Sequence, residues 1–206
     1  MSGTPDAGDD SAEAPEAASA LPAKPRVMFL AIGLIVAAVL AIGLFTSLGS
    51  SVGPGRPTVG SAAPSFTLPR LGAAGTVGTP ADGGGAGRPA VVVFFASWCG
   101  PCQAEMPALA VAYRDQQAAG GPLARVRLLG VDSVDPTGSA LAFVHKSGVE
   151  FPVGADRKGT VTSGLYYFTG DPEAVFISGD GRVVHITYGP VSVAQLQHWE
   201  HRLVAG

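Results

Sequence analysis

Two cysteines occur in the 206 residues, and they stand three apart in Trp98-Cys99-Gly100-Pro101-Cys102. A bridge between such close neighbours closes almost no loop and adds little chain-entropy stabilisation, so a structural role is disfavoured. Two chemistries suit the spacing. In thiol–disulfide exchange one thiolate attacks and a second thiol resolves the mixed disulfide. In metal ligation the pair would supply two ligands, and a structural zinc needs about two more. No second cysteine pair exists, and His198 and His201, far along the chain on one face of a C-terminal helix, read as surface histidines. No metal site and no cofactor other than a Cys99–Cys102 redox disulfide are expected.

Useful exchange needs a cysteine that ionises near ambient pH, and position within the fold supplies that. Val91-Val92-Val93-Phe94-Phe95 is a continuous apolar run of strand length, as expected for a central strand buried on both faces, and a helix is expected from about 100 to 118. Cys99 then falls at the strand–helix junction, where free N–H groups and the positive end of the helix dipole stabilise a negative sulfur. Cys102, one turn further in, is placed to resolve.

The remaining elements follow from periodicity and turn chemistry. Residues 63–69 suggest a short edge strand, 127–131 a second buried strand, and Asp135-Pro136 the N-cap and first turn of a helix through Leu141, Phe143 and Val144. A third helix is expected over 157–167. Ala174–Ile177 and Val183–Ile186, joined by Gly179-Asp180-Gly181, read as a hairpin, and Ser192 with Gln195 as the capping box of a last helix. Strands alternating with helices before a closing hairpin predict an α/β fold with a central mixed sheet and helices on both faces. The Gly-rich run 82–87 lacks the Gly-Lys-Ser/Thr of a phosphate loop and reads as a plain loop.

Ahead of this domain, residues 1–26 are acidic, rich in Ala, Ser and Pro, and expected to be disordered on the cytoplasmic side. Residues 27–48 contain no charge and as a helix would span roughly 33 Å, the thickness of a bilayer core. The run is longer than a signal-peptide core and lacks a good cleavage site, which favours a retained transmembrane helix. Lys24 and Arg26 before it, against Arg56 and Arg70 after it, put the amino terminus inside and the cysteines outside. Residues 49–57 read as a linker and 58–206 as the domain. A net charge of −3 with 14% charged residues excludes nucleic acid as a partner class.

Phe94-Phe95-Ala96-Ser97-Trp98-Cys99-Gly100-Pro101-Cys102, with Gly60-Ser61-Ala62-Ala63-Pro64-Ser65-Phe66-Thr67-Leu68 before it and Glu105-Met106-Pro107, Asp156 and Gly170-Asp171-Pro172 after it, resembles the membrane-anchored TlpA/ResA-like branch of the thioredoxin family over about 58–204. The resemblance implies a thioredoxin fold, with Cys99 attacking and Cys102 resolving. Where cytosolic thioredoxins carry a buried aspartate this chain has Val93, and the resemblance assigns the thiol-tuning carboxylate to Glu105; a solvated surface carboxylate is the alternative. It further implies a cis peptide at Pro172, a substrate-facing Asp171, and a Trp98 that covers the cysteines beside Gly100 and Pro101. Pro107 matches a helix-kink proline. Asp171 and Glu173 stand where the branch usually carries small neutral or hydroxyl residues, which would set two carboxylates beside the sulfur.

The activity implied is reduction of protein disulfides outside the cytoplasm, with electrons from a membrane donor and clients of the cytochrome c maturation kind. The rivals are a disulfide oxidase or isomerase, a peroxiredoxin-like peroxidase, which expects one peroxidatic cysteine in another local pattern, and a copper-binding chaperone.

Overall fold

The computed structural model describes Ile35, residues 55–79 and residues 87–205. The expected tail, linker start and span, apart from Ile35, lie outside the described residues, as does most of the Gly-rich run. Among the described residues no helix is long and apolar enough to cross a membrane.

A five-stranded sheet carries the domain. Its strands are β3 (Ala90–Phe95), β4 (Arg127–Ser133), β5 (Val153–Asp156), β6 (Glu173–Ile177) and β7 (Val183–Tyr188), in the order β5-β4-β3-β6-β7. β3, β4 and β5 run parallel, and β6 and β7 run antiparallel to their neighbours, so the sheet is mixed. β3 lies at the centre with every residue buried, which is why its sequence shows no polar alternation. A separate hairpin, β1 (Phe66–Pro69) with β2 (Thr76–Thr79), precedes it. Among the described residues of the domain there are three α-helices, α1 (Gly100–Ala119), with Pro107 inside it, α2 (Thr137–Lys146) and α3 (Val193–Ala205), and a short 3-10 turn at Leu123–Arg125.

The two faces of β3 belong to different cores. Val91, Val93 and Phe95 pack with Met106 and Leu109 of α1, Phe143 of α2 and Leu196 of α3. Val92 and Phe94 pack instead with Phe66, Leu68 and Val77 of the hairpin and with Val161 and Tyr166. Side chains of all three helices thus join one face, and the expectation of helices on both faces is corrected.

The reason is local to the 157–167 segment, where the expected helix is replaced by turns. The buried Asp156 carboxylate accepts the N–H groups of Val161 and Thr162 and the hydroxyls of Thr160 and Thr162. A side chain that takes these donors leaves the helical ladder without them. Tyr166 is fully buried from this segment, with its hydroxyl donating to the Pro64 carbonyl.

Asp135 does not cap α2 either. Pro136 occupies the cap position with no side-chain bond, and the Asp135 carboxylate turns to Ser97. By contrast Ser192 and Gln195 form both bonds of the capping box, Gln195 N–H to Ser192 Oγ at 3.2 Å and Ser192 N–H to Gln195 Oε1 at 3.0 Å. β2 and β5 escaped sequence reasoning: each has only four residues, and glycines interrupt both.

Candidate functional site: the disulfide at the start of α1

β3 delivers the chain to one end of the sheet, and Ala96-Ser97-Trp98 carries it over to α1. Ser97 is fixed there by the Asp135 carboxylate, which accepts its backbone N–H at 2.6 Å and its hydroxyl at 3.0 Å. The Ser97 carbonyl in turn accepts the Gln103 side-chain amide at 3.0 Å, tying the approach to the first turn of the helix. Sequence reasoning assigned Asp135 to capping; the pairing with Ser97, 38 residues away, has no local signal.

Cys99 is the N-cap residue of α1, with extended backbone, and the Cys102 N–H points at its Sγ at 3.1 Å. The two cysteines are joined as a disulfide with Cα atoms 5.2 Å apart. They differ in access: Cys102 is fully buried, Cys99 is 4% exposed, and Gly100 and Pro101 between them are exposed. Trp98 is 65% exposed, so it presents an apolar face to solvent instead of packing away.

Glu105 lies one turn beyond Cys102 on the same side of the helix. It is buried, which excludes the surface-carboxylate alternative, and Oε1 accepts the Val191 N–H at 2.7 Å. Oε2 has no partner among the described residues. Burial pushes its pKa up to about 7, against the smaller lowering effect of the Val191 bond.

The loop before β6 contains the cis Asp171–Pro172 peptide. Asp171 is half-buried and its pKa is pushed up to about 6, chiefly by burial, with the neighbouring Asp135 and Glu173 charges adding and the Ser133 hydroxyl opposing. Glu173 corrects the expectation of two free carboxylates beside the sulfur. It is buried on β6 and ion-paired with Arg56, whose guanidinium also lies over the Tyr188 ring at 4.4 Å.

A further carboxylate at this end was missed. Asp132 ends the apolar run of β4 opposite Phe95, is fully buried, and among the described residues has neither oxygen hydrogen-bonded. Burial first, then Asp135, pushes its pKa up to about 7, and Arg157 opposes this. Val134 beside it and Tyr167 before the cis-proline loop hold φ of 48°, unusual for residues with these side chains, and both are exposed. Among the described residues no cluster of three or more His, Cys, Asp or Glu could hold a metal, and His198 and His201 are exposed on α3.

The family pattern described as AhpC/TSA family matches residues 59–186, which takes in the hairpin, the cysteines and the mixed sheet up to Ile186 in β7. The chain belongs to the AhpC/TSA family. Within that family it is similar to the thiol:disulfide interchange protein DsbE homolog of Paracoccus denitrificans, 38% identical over 49% of this chain and 51% of the relative, so the chain spans about half the length of that protein. It is 30% identical to the thiol-disulfide oxidoreductase ResA of Oceanobacillus iheyensis over 68% of this chain and 69% of the relative. A crystal structure of a thiol:disulfide interchange protein DsbE from Chlorobium tepidum superposes with a TM-score of 0.59 at 28% identity, covering 72% of this chain and 99% of that one. The AhpC/TSA match, these relatives and the mixed sheet agree with the thioredoxin-like fold.

Proposed function

We propose that this thiol–disulfide oxidoreductase is a reductase of protein disulfides, held outside the cytoplasm by residues 27–48 and supplied with electrons by a membrane carrier. It needs no cofactor beyond its own cysteine pair. The observation that carries the reading is the asymmetry of the pair: Sγ of Cys99 receives a helix N–H at the exposed start of α1, and Cys102 is wholly enclosed.

In the reduced protein the Cys99 thiolate, stabilised by that N–H and the helix dipole, attacks one sulfur of a client disulfide. The client S–S bond breaks, one client thiolate leaves and takes up a proton, and a mixed disulfide to Cys99 forms. Cys102 then loses its thiol proton, which Glu105 accepts on Oε2, and attacks Cys99 Sγ. The mixed disulfide breaks, the second client sulfur leaves as a thiolate, and the Cys99–Cys102 disulfide remains. Two electrons have passed to the client, and the donor returns two to the domain. Pro172 and Asp171 shape the edge along which the client strand lies, and Trp98, Gly100 and Pro101 offer it an open contact surface. The family resemblance makes cytochrome c maturation clients the leading substrate class.

Equilibration of the full chain with thiol redox buffers tests the direction. A reductase gives a potential nearer the thioredoxin value of about −270 mV, and an oxidase one nearer the DsbA value of about −120 mV.

A further inference from the structure

At the opposite end of β3 from the cysteines lies a cavity of about 500 Å³ between the β1–β2 hairpin, α1 and the start of β4. Arg70, Arg88 and Arg127 line it, together with Thr67, Tyr113 and Gln117. Arg127 pairs in register with Ala90, the first residue of β3, so the cavity sits about 17 Å from the end of the strand that leads to Cys99.

We propose that this cavity binds the phosphate group of an anionic ligand, with Arg70, Arg88 and Arg127 as its holders. Arginines from three chain segments line it, and the Arg88 charge acts on Arg127. Among the described residues no carboxylate lines the cavity, and none lies within 4.0 Å of any of the three. Like charges brought together in a part-enclosed space repel, and an anion between them removes that cost. Burial, and then the Arg88 charge, hold the Arg127 pKa below its ordinary range, which is the direction expected of a cation without a counter-ion.

The site is also built and not merely crowded. Arg127 is oriented by a 2.8 Å bond to the Gly78 carbonyl, and Arg88 by a 3.1 Å bond to the Arg125 carbonyl, and among the described residues the other N–H groups of each fork have no partner. Gly78 is required for the hairpin to close over it, because a Cβ there would run into the Phe66 carbonyl. Planar forks of this kind match phosphate oxygens in pairs. Val77, Leu128 and Pro152 supply an apolar flank beside the arginines, which a free phosphate would leave bare and a phospholipid head group with its glycerol would cover.

The test uses the full chain in an uncharged detergent, titrated with inorganic phosphate and, separately, with dihexanoyl phosphatidylglycerol, at constant ionic strength in chloride. Binding is followed by calorimetry and by phosphorus NMR line width. Saturable one-to-one binding of either probe is expected, weakened at least about tenfold in Arg70→Gln/Arg88→Gln. A phosphatidylglycerol response without a phosphate response identifies the lipid as the source, and equal responses identify the free anion. Arg127→Lys keeps the charge but loses the fork, and should weaken binding with the fold intact. Thiol–disulfide turnover should be unchanged in all these variants, which separates this site from the cysteine reading. Binding of neither probe overturns the proposal, as does binding that the arginine changes leave unaltered. Binding that appears only in Asp82→Asn also overturns it, by showing that the chain supplies its own anion.

Discussion

Oε1 of Glu105 accepts the backbone N–H of Val191 at 2.7 Å, joining α1 to the loop before α3, and among the described residues Oε2 has no partner. One oxygen fixes the side chain, and the other is the atom to which the proposed mechanism assigns the Cys102 proton. With its pKa pushed up to about 7 by burial, the group exchanges that proton at ordinary pH.

Glu105→Gln keeps an amide oxygen for Val191 but cannot titrate. Release of client from the mixed disulfide should slow by about 100-fold. Its pH dependence between about 6 and 8 should flatten, because the step that gains rate as Glu105 ionises is gone. Stopped-flow single turnovers across that range are the check; an unchanged profile in the variant removes Glu105 from the proton path.

Stability should carry a related signature. Glu200 is fully buried on α3 with neither oxygen hydrogen-bonded among the described residues, and burial pushes its pKa up to about 7. The unfolded chain ionises this group near the ordinary carboxylate value, so the folded state holds the extra proton between there and about 7. The stabilisation is therefore complete at acid pH, and is lost as pH rises through about 7. The advantage of Glu200→Gln over the wild type should grow from pH 5 to pH 8, reaching on the order of 2 kcal/mol. Urea denaturation at the two pH values measures it, and a constant difference would show that Glu200 is hydrated.

How far the sequence reached depended on whether a signal was local. The β3 apolar run, the cysteine junction and the Ser192–Gln195 box each lie within a few residues, and each is found as expected. The segment 157–167 failed because its helical pattern competes with Asp156, whose carboxylate collects donors from Thr160, Val161 and Thr162. Asp135 failed for the opposite reason: its partner Ser97 is distant in sequence and adjacent only once β3 and β4 pair. Asp132 could have been noticed as a charge closing an apolar strand, but its full burial beside Asp135 is a property of the packed core.

Asp135→Ala leaves the Ser97 N–H and hydroxyl without their acceptor in a part-buried setting. A loss of about 2 kcal/mol of folding stability is expected, the cost of unmade charge-assisted bonds. Ser97→Ala should cost less, because the stronger backbone bond survives. Denaturant titration of both variants checks the order, and equal losses would contradict the lock.

Asp171 is ionised above about pH 6 and neutral below it. Its charge beside the client strand should favour clients with Lys or Arg next to the reacting cysteine, and that preference should fade below pH 6. Rates for a pair of disulfide peptides, one basic and one acidic, give the ratio. Asp171→Thr should bring it toward one at every pH; a ratio that the substitution does not move would assign Asp171 to solvent.

The proposed function depends on Cys99 attacking and Cys102 resolving, and trapping separates the two roles. The full chain with Cys102→Ser and the full chain with Cys99→Ser are reduced, presented with a disulfide-bonded client, and separated without reductant. Cys102→Ser should retain client through Cys99 as a stable mixed disulfide, and Cys99→Ser should retain almost none, since its remaining thiol is enclosed. Client accumulating on Cys102 instead, with none held by Cys99, would contradict the account.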